Sequence, residues 1–257
     1  MNMNDIQREI DMFNRKAVKL LSLSNEKLLV TTPYSHLAGS KIAFDYFMKC
    51  IGDVSNKKIL DVGCGSGWLS VYLAKMNAEF VYGFDVSPKM IEVAKKRSEA
   101  NGVSNRIVFE CKKAEEIDFE EEFFDFVVGI SVLHHINLEA WKLKLRHVLK
   151  DNGKAIFIEP LGENKLLEIF RDKINRDLLG ERTRDEKPLK LEDIQRFTKM
   201  FIVAHRGFQL CGGIARLIGD DSASYLGLNM IDKALFKMFP SLSEKARFTV
   251  LTLSPKK

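Results

Sequence analysis

Ile59-Leu60-Asp61-Val62-Gly63-Cys64-Gly65-Ser66-Gly67-Trp68-Leu69 is the stretch whose reading decides the fold. An apolar run ends there in alternating glycines, residues that let the backbone turn sharply and bring bare N–H groups against a polar ligand. A second apolar run, Val81-Tyr82-Gly83-Phe84, ends in the carboxylate of Asp85. An acid about 20 residues after a glycine turn is the spacing with which doubly wound sheets hold a ribose through both hydroxyls.

Outward from this pair the chain alternates strands and helices. Strands are expected at 58–62, 80–84, 106–110, 124–131 and 154–158. A helix begins near Gly67, and another starts with Ser87 as N-cap and Pro88 in its first turn. A further helix, 138–149, stops at Asp151-Asn152-Gly153. The alternation predicts an α/β fold: a doubly wound, mostly parallel, seven-stranded sheet with helices on both faces and an added helical cap. Ligands belong where the strands' carboxyl ends converge.

Four segments follow. Residues 1–50 form an N-terminal helical cap segment whose apolar positions Ile6, Ile10, Phe13, Ala17, Leu20 and Leu21 recur at helical spacing. Residues 51–160 form the nucleotide-binding core. Residues 161–200, densely charged with both signs and expected to be helical, form an insertion. Residues 201–257 supply two closing strands, Phe201–Leu210 and Ala246–Leu253, with an apolar insertion near 212–240.

Composition narrows the functional classes. The chain has 257 residues, 46% hydrophobic and 29% charged, enough for a substantial core. Its net charge of +5 is interleaved with acids and forms no basic stripe with aromatics, so no nucleic-acid partner is expected. The N-terminus lacks the apolar region of a signal peptide, and no run reaches membrane-spanning length. Cys50, Cys64, Cys111 and Cys211 stand far apart without a C-x-x-C pair. This argues for reduced thiols in a cytoplasmic protein and against a metal site.

The motifs resemble the class I S-adenosylmethionine-dependent methyltransferases of small molecules. Asp61-Val62-Gly63-Cys64-Gly65-Ser66-Gly67 is similar to the family's first motif, and Asp85-Val86-Ser87-Pro88-Lys89-Met90 to its acidic motif. Phe124-Asp125-Phe126-Val127-Val128, Val132-Leu133-His134-His135-Ile136 and Leu149-Lys150-Asp151-Asn152-Gly153 follow in the family's order. The resemblance implies S-adenosylmethionine as cofactor, with S-adenosylhomocysteine as product. It implies cofactor contacts at Asp61, Gly63, Cys64, Gly65, Gly67, Asp85, Val86, Ala114, Glu115 and Ile130. Lys113 departs from the pattern: an Asp often stands before the alanine to accept from the adenine amino group, and lysine has no acceptor.

The implied reaction moves a methyl group to a small-molecule acceptor by in-line displacement. His134 and His135 end the fourth strand, and imidazole is a competent base near neutral pH. Glu159, at the end of the fifth strand, is a third candidate. Tyr34 and His36 are candidates to enter from the N-terminal cap, and Ile214, Leu217, Ile218, Tyr225 and Leu226 to line an apolar pocket. Three alternatives remain: a glycine turn with no ligand, a nucleotide-dependent oxidoreductase, or a non-catalytic cofactor-binding module acting through a partner. The oxidoreductase usually has G-x-G-x-x-G rather than the G-x-G-x-G found here. Neither the acceptor nor the oligomeric state is legible.

Overall fold

The computed structural model describes residues 3–31, 41–165, 187–211 and 222–257. Its centre is a seven-stranded sheet in the order β3-β2-β1-β4-β5-β7-β6. The strands are β1 (Lys58–Val62), β2 (Phe80–Asp85), β3 (Ile107–Cys111), β4 (Phe124–Ile130), β5 (Leu149–Pro160), β6 (Phe201–Phe208) and β7 (Phe248–Pro255). The first five pair in parallel, whereas β7 runs antiparallel to both of its neighbours. Ile59, Leu60, Asp61 and Val62 are all buried, as expected of a central strand covered on both faces.

The described helices are α1 (Met3–Leu21), α2 (Asn25–Leu28), α3 (Lys41–Ile51), α4 (Trp68–Lys75), α5 (Pro88–Ala100), α6 (Leu138–Val148), α7 (Leu191–Gln195) and α8 (Ser222–Met238). Apolar side chains of α3, α4 and α5 pack into one core, with Phe44, Phe47, Val71 and Ala94 among its buried members. Trp141, Leu145 and Val148 of α6 fill the other, together with Phe197 and Phe201. Among the described residues, no helix is long and apolar enough to cross a membrane.

The N-terminal helix is fastened to the fold. Phe13, Ala17, Leu20 and Leu21 of α1 pack on Met90 and Val93 of α5. At the head of α5, the N-cap Ser87 hydroxyl accepts from the Met90 N–H at 3.2 Å and donates to Asn14 Oδ1 at 2.8 Å. Lys96 completes the seam, donating to the carbonyls of Leu21 and Leu23. These contacts turn Ile6, Glu9 and Phe13, which share one face of α1, toward the carboxyl ends of the strands.

One expectation changes. The sixth helix ends at Val148, and the strand begins at Leu149 rather than Lys154. Leu149 pairs with Phe124, Lys150 bonds the Asp125 carboxylate at 2.9 Å, and the following residues form a bulge before Lys154 pairs with Phe126. A burial site and an ion pair thus draw the chain onto the sheet earlier than its Asp-Asn-Gly turn suggests. Among the described residues of 161–200 the helix is α7, and Leu161 forms a parallel bridge with Leu189. Residues 166–186, Tyr34, His36, Ile214, Leu217 and Ile218, and the side chains of Tyr225 and Leu226, lie outside the described residues.

Candidate active site

A cavity of about 440 Å³ opens at the carboxyl ends of β1, β2 and β4, roofed by α1. Its floor is the glycine turn. The Cys64 N–H donates to the Phe84 carbonyl at 2.9 Å, and the Gly65 N–H donates to Asp85 Oδ2 at 2.9 Å. The other oxygen of Asp85 accepts from the Ser87 N–H at 2.8 Å. The turn after β1 and the end of β2 are therefore one hydrogen-bonded unit. Beneath it, the buried guanidinium of Arg97 donates to the carbonyl and hydroxyl of Ser66, both at 2.6 Å. Burial lowers the Arg97 pKa to about 10, which leaves it charged at neutral pH.

The glycines do different work. Gly65 has φ +50°, and a Cβ there would meet nothing within 4 Å, so its bare face looks into open cavity. Gly67 has φ +72°, and a Cβ would come within 2.7 Å of Ala94 and 2.8 Å of Phe109. It starts α4 and lets that helix pass close to α5. Of the ten expected cofactor contacts, Asp61, Gly63, Cys64, Gly65, Asp85, Val86, Ala114, Glu115 and Ile130 line the cavity, and Gly67 does not.

Burial sets the electrostatics. Asp61 is 2% exposed and accepts from the Ser70 hydroxyl at 2.5 Å. Its pKa is raised to about 7, chiefly by burial and further by the charge of Asp85, against the Ser70 bond. Burial also raises Asp85; Glu9 adds to the shift, while its two N–H bonds and His135 oppose it. The Cys64 thiol is pushed well up by burial and by both aspartates, which makes it a poor nucleophile. Lys113 lines the cavity, but its backbone N–H is bonded to Glu116 at 3.0 Å.

The three expected catalytic side chains separate into two groups. The side chains of His134 and Glu159 are buried and do not line the cavity. Glu159 Oε1 accepts from the Val132 and Leu133 N–H groups at 2.8 Å each, and Oε2 lies 2.7 Å from His134 Nδ1. They bracket the turn after β4, where Ser131 holds φ +55°. The expectation that either meets an acceptor is therefore corrected: both hold the turn. His135 points the other way, into the cavity, with Nδ1 3.1 Å from Glu9 Oε1. Glu9 is 7% exposed and had no sequence signal beyond its helical register with Ile6 and Phe13.

Residues 59–153 match a family model described as a methyltransferase domain. A ubiquinone biosynthesis O-methyltransferase of Neisseria meningitidis serogroup C is 34% identical over 107 residues, covering 41% of this chain and 44% of that protein. A 27-O-demethylrifamycin SV methyltransferase of Amycolatopsis mediterranei is 32% identical over 99 residues, covering 38% and 34%. The chain spans about half the length, or less, of the curated relatives it matches. The YcgJ protein of Bacillus subtilis shares the fold, with a TM-score of 0.57 at 16% identity over 83% of this chain and 98% of that one.

Two stability measurements check the assignments made from geometry. Gly67→Ala is expected to cost about 1–3 kcal/mol from overpacking in addition to the roughly 1–2 kcal/mol of left-handed backbone strain that Gly65→Ala, facing open space, shows alone. Urea unfolding of both variants compares them, and equal losses would mean that Gly67 is not a packing residue. Glu159→Ala removes the carboxylate that bonds His134 and two buried N–H groups, and is expected to lower stability by about 3–5 kcal/mol. An unchanged urea midpoint would show that the turn holds without this bracket.

Proposed function

From the match of residues 59–153 to a methyltransferase domain model, we propose that the protein transfers a methyl group from S-adenosylmethionine to a small-molecule acceptor. The observation that carries this reading is the hydrogen-bonded unit of Gly65 and Asp85 at the floor of the cavity. The residues fit the cofactor. Gly65 leaves open space for close backbone approach, Asp85 offers carboxylate oxygens to ribose hydroxyls, and Asp61 offers a buried anion to an ammonium group. Ala114 and Glu115 line the part of the cavity where the adenine is expected, with Val86 and Ile130 as apolar walls.

The cofactor supplies an activated methyl group open to in-line attack. The chain positions the acceptor, excludes water and holds a proton acceptor. His135 is the residue proposed to face the acceptor. With Glu9 accepting from Nδ1–H, Nε2 keeps its lone pair and can take a proton from a hydroxyl as it attacks. His134 and Glu159 position this imidazole through the turn after β4. The relatives' names point to O-methylation of small molecules, which favours an acceptor hydroxyl here.

In this reading, residues 51–160 are the cofactor-binding core, and helix α1 of the N-terminal segment caps it. All four cysteines are free thiols, which supports a reducing, cytoplasmic setting.

The reading is tested by release of S-adenosylhomocysteine from S-adenosylmethionine across a panel of small hydroxylated aromatics. Asp85→Ala is expected to weaken S-adenosylhomocysteine at least about tenfold, since a charge-assisted bond contributes roughly 1.5–3 kcal/mol. Unchanged affinity in the folded variant overturns the ribose assignment. His135→Ala is expected to reduce turnover about a hundredfold or more while leaving cofactor affinity near wild type. Near-normal turnover would leave positioning as the only contribution of that residue.

Asp61 gives a pH signature. Its folded pKa lies near 7, above the ordinary 3.8, so the unliganded fold retains a proton that the unfolded chain has lost. Stability contributed by this group therefore falls as pH rises from about 4 to about 7. A bound ammonium group favours the ionised carboxylate and expels the proton. Affinity for S-adenosylhomocysteine is expected to rise about fivefold between pH 6 and pH 7, with proton release seen by calorimetry in buffers of different ionisation enthalpy. Asp61→Asn should abolish both effects; their persistence would assign the linkage to another group.

A further inference from the structure

A second cavity, of about 790 Å³, lies between α3, the carboxyl end of β6 and α8, separate in its lining from the cavity under α1. Its size falls within the range of small-molecule sites. Lys49, Arg206, Lys233 and Lys237 line it, and none of these cations has an ion-pair partner among the described residues. The two carboxylates that reach it are already engaged. Asp45 is paired with Lys41 at 2.9 Å. Asp232 is buried and accepts from the Leu210 and Cys211 N–H groups at 3.0 and 2.7 Å. The cavity therefore carries a surplus of positive charge.

Its floor is aromatic. Tyr46 and Phe208 lie with ring centroids 5.4 Å apart, and the Arg206 guanidinium sits 4.8 Å from the first and 5.6 Å from the second. A guanidinium held beside aromatic rings by its charge still has five N–H donors with which to grip a carboxylate or phosphate. Ile42, Met230 and Phe236 add apolar wall. A bare inorganic anion would leave these rings and aliphatic groups uncovered, while a neutral apolar molecule would leave the cations unanswered.

We propose that this cavity binds a small amphiphile with an anionic carboxylate or phosphate head, held by Arg206, Lys233 and Lys237, and an apolar body laid on Tyr46, Phe208 and Phe236. The site is independent of the methyl-transfer reading, because it shares no lining residue with the cavity under α1.

Titration of the whole chain with octanoate, octyl phosphate and 1-octanol tests the proposal. One or both anions should bind at least about tenfold more tightly than the alcohol, and more weakly as salt rises, because exposed charges are screened. Binding of only one identifies the head group, and binding of both identifies charge as the determinant. Lys233→Gln with Lys237→Gln, and separately Arg206→Gln, should each weaken the anion at least about fivefold. Affinity for S-adenosylhomocysteine should stay unchanged in the same proteins, and saturating S-adenosylhomocysteine should not displace the anion. Equal binding of 1-octanol, no binding of either anion, insensitivity to both sets of substitutions, or displacement by S-adenosylhomocysteine would each overturn it. Methyl transfer has its own readout, so failure here leaves that reading untouched.

Discussion

Carboxylates gathered at one edge of the sheet set the terms for everything around them. Asp61, Glu9 and Glu159 are buried, and Asp85 stands beside them at the end of β2. Each loses hydration on folding and must be compensated locally. Glu159 is met by two N–H groups and His134, Asp85 by two N–H groups, Glu9 by His135, and Asp61 by one hydroxyl. Asp61, bonded by Ser70 but buried and repelled by Asp85, is the one whose pKa rises to about 7. The glycine turn, the turn after β4 and the docking of α1 can all be understood as the places where those compensating donors are supplied.

The parts legible in the sequence are the ones encoded locally. The spacing of Asp61, Gly63 and Gly65 to Asp85 depends on one strand, one helix and the next strand, so the motif reports its own geometry. The helix beginning at Pro88 was equally readable, because Ser87 caps its own backbone at Met90. Gly67 reads as a ligand contact because a glycine at a positive φ looks the same in sequence whether its bare face meets a ligand or a neighbouring helix. Only the approach of Ala94 and Phe109 distinguishes the two.

Long-range pairings left no such trace. Strand β5 is buried on both faces over Ala155–Glu159, so no alternation of polar and apolar residues shows which way Glu159 points. Its meeting with His134 depends on the pairing of β4 with β5 and on the left-handed Ser131 between strand and turn. Of two adjacent histidines, one faces the core and one the cavity, and residue type carries no information about the choice. Glu9 is harder still. Its place in the cavity follows from the docking of α1 on α5 through Asn14, Ala17 and Met90, contacts between segments far apart in the chain.

The arrangement couples the empty and loaded states through charge. Without a cation in the cavity, Asp61 lowers the repulsion from Asp85 by keeping a proton, which its raised pKa allows near neutrality. With an ammonium group beside it, as the proposed cofactor would place one, the same carboxylate would ionise and the ligand would answer the repulsion instead. Glu9 and His135 supply a second balance, since one raises and the other lowers the pKa of Asp85. Helix α1 therefore brings more than an apolar roof. By placing Glu9 against His135 at 3.1 Å it fixes that imidazole on the cavity wall and gives a buried carboxylate its partner.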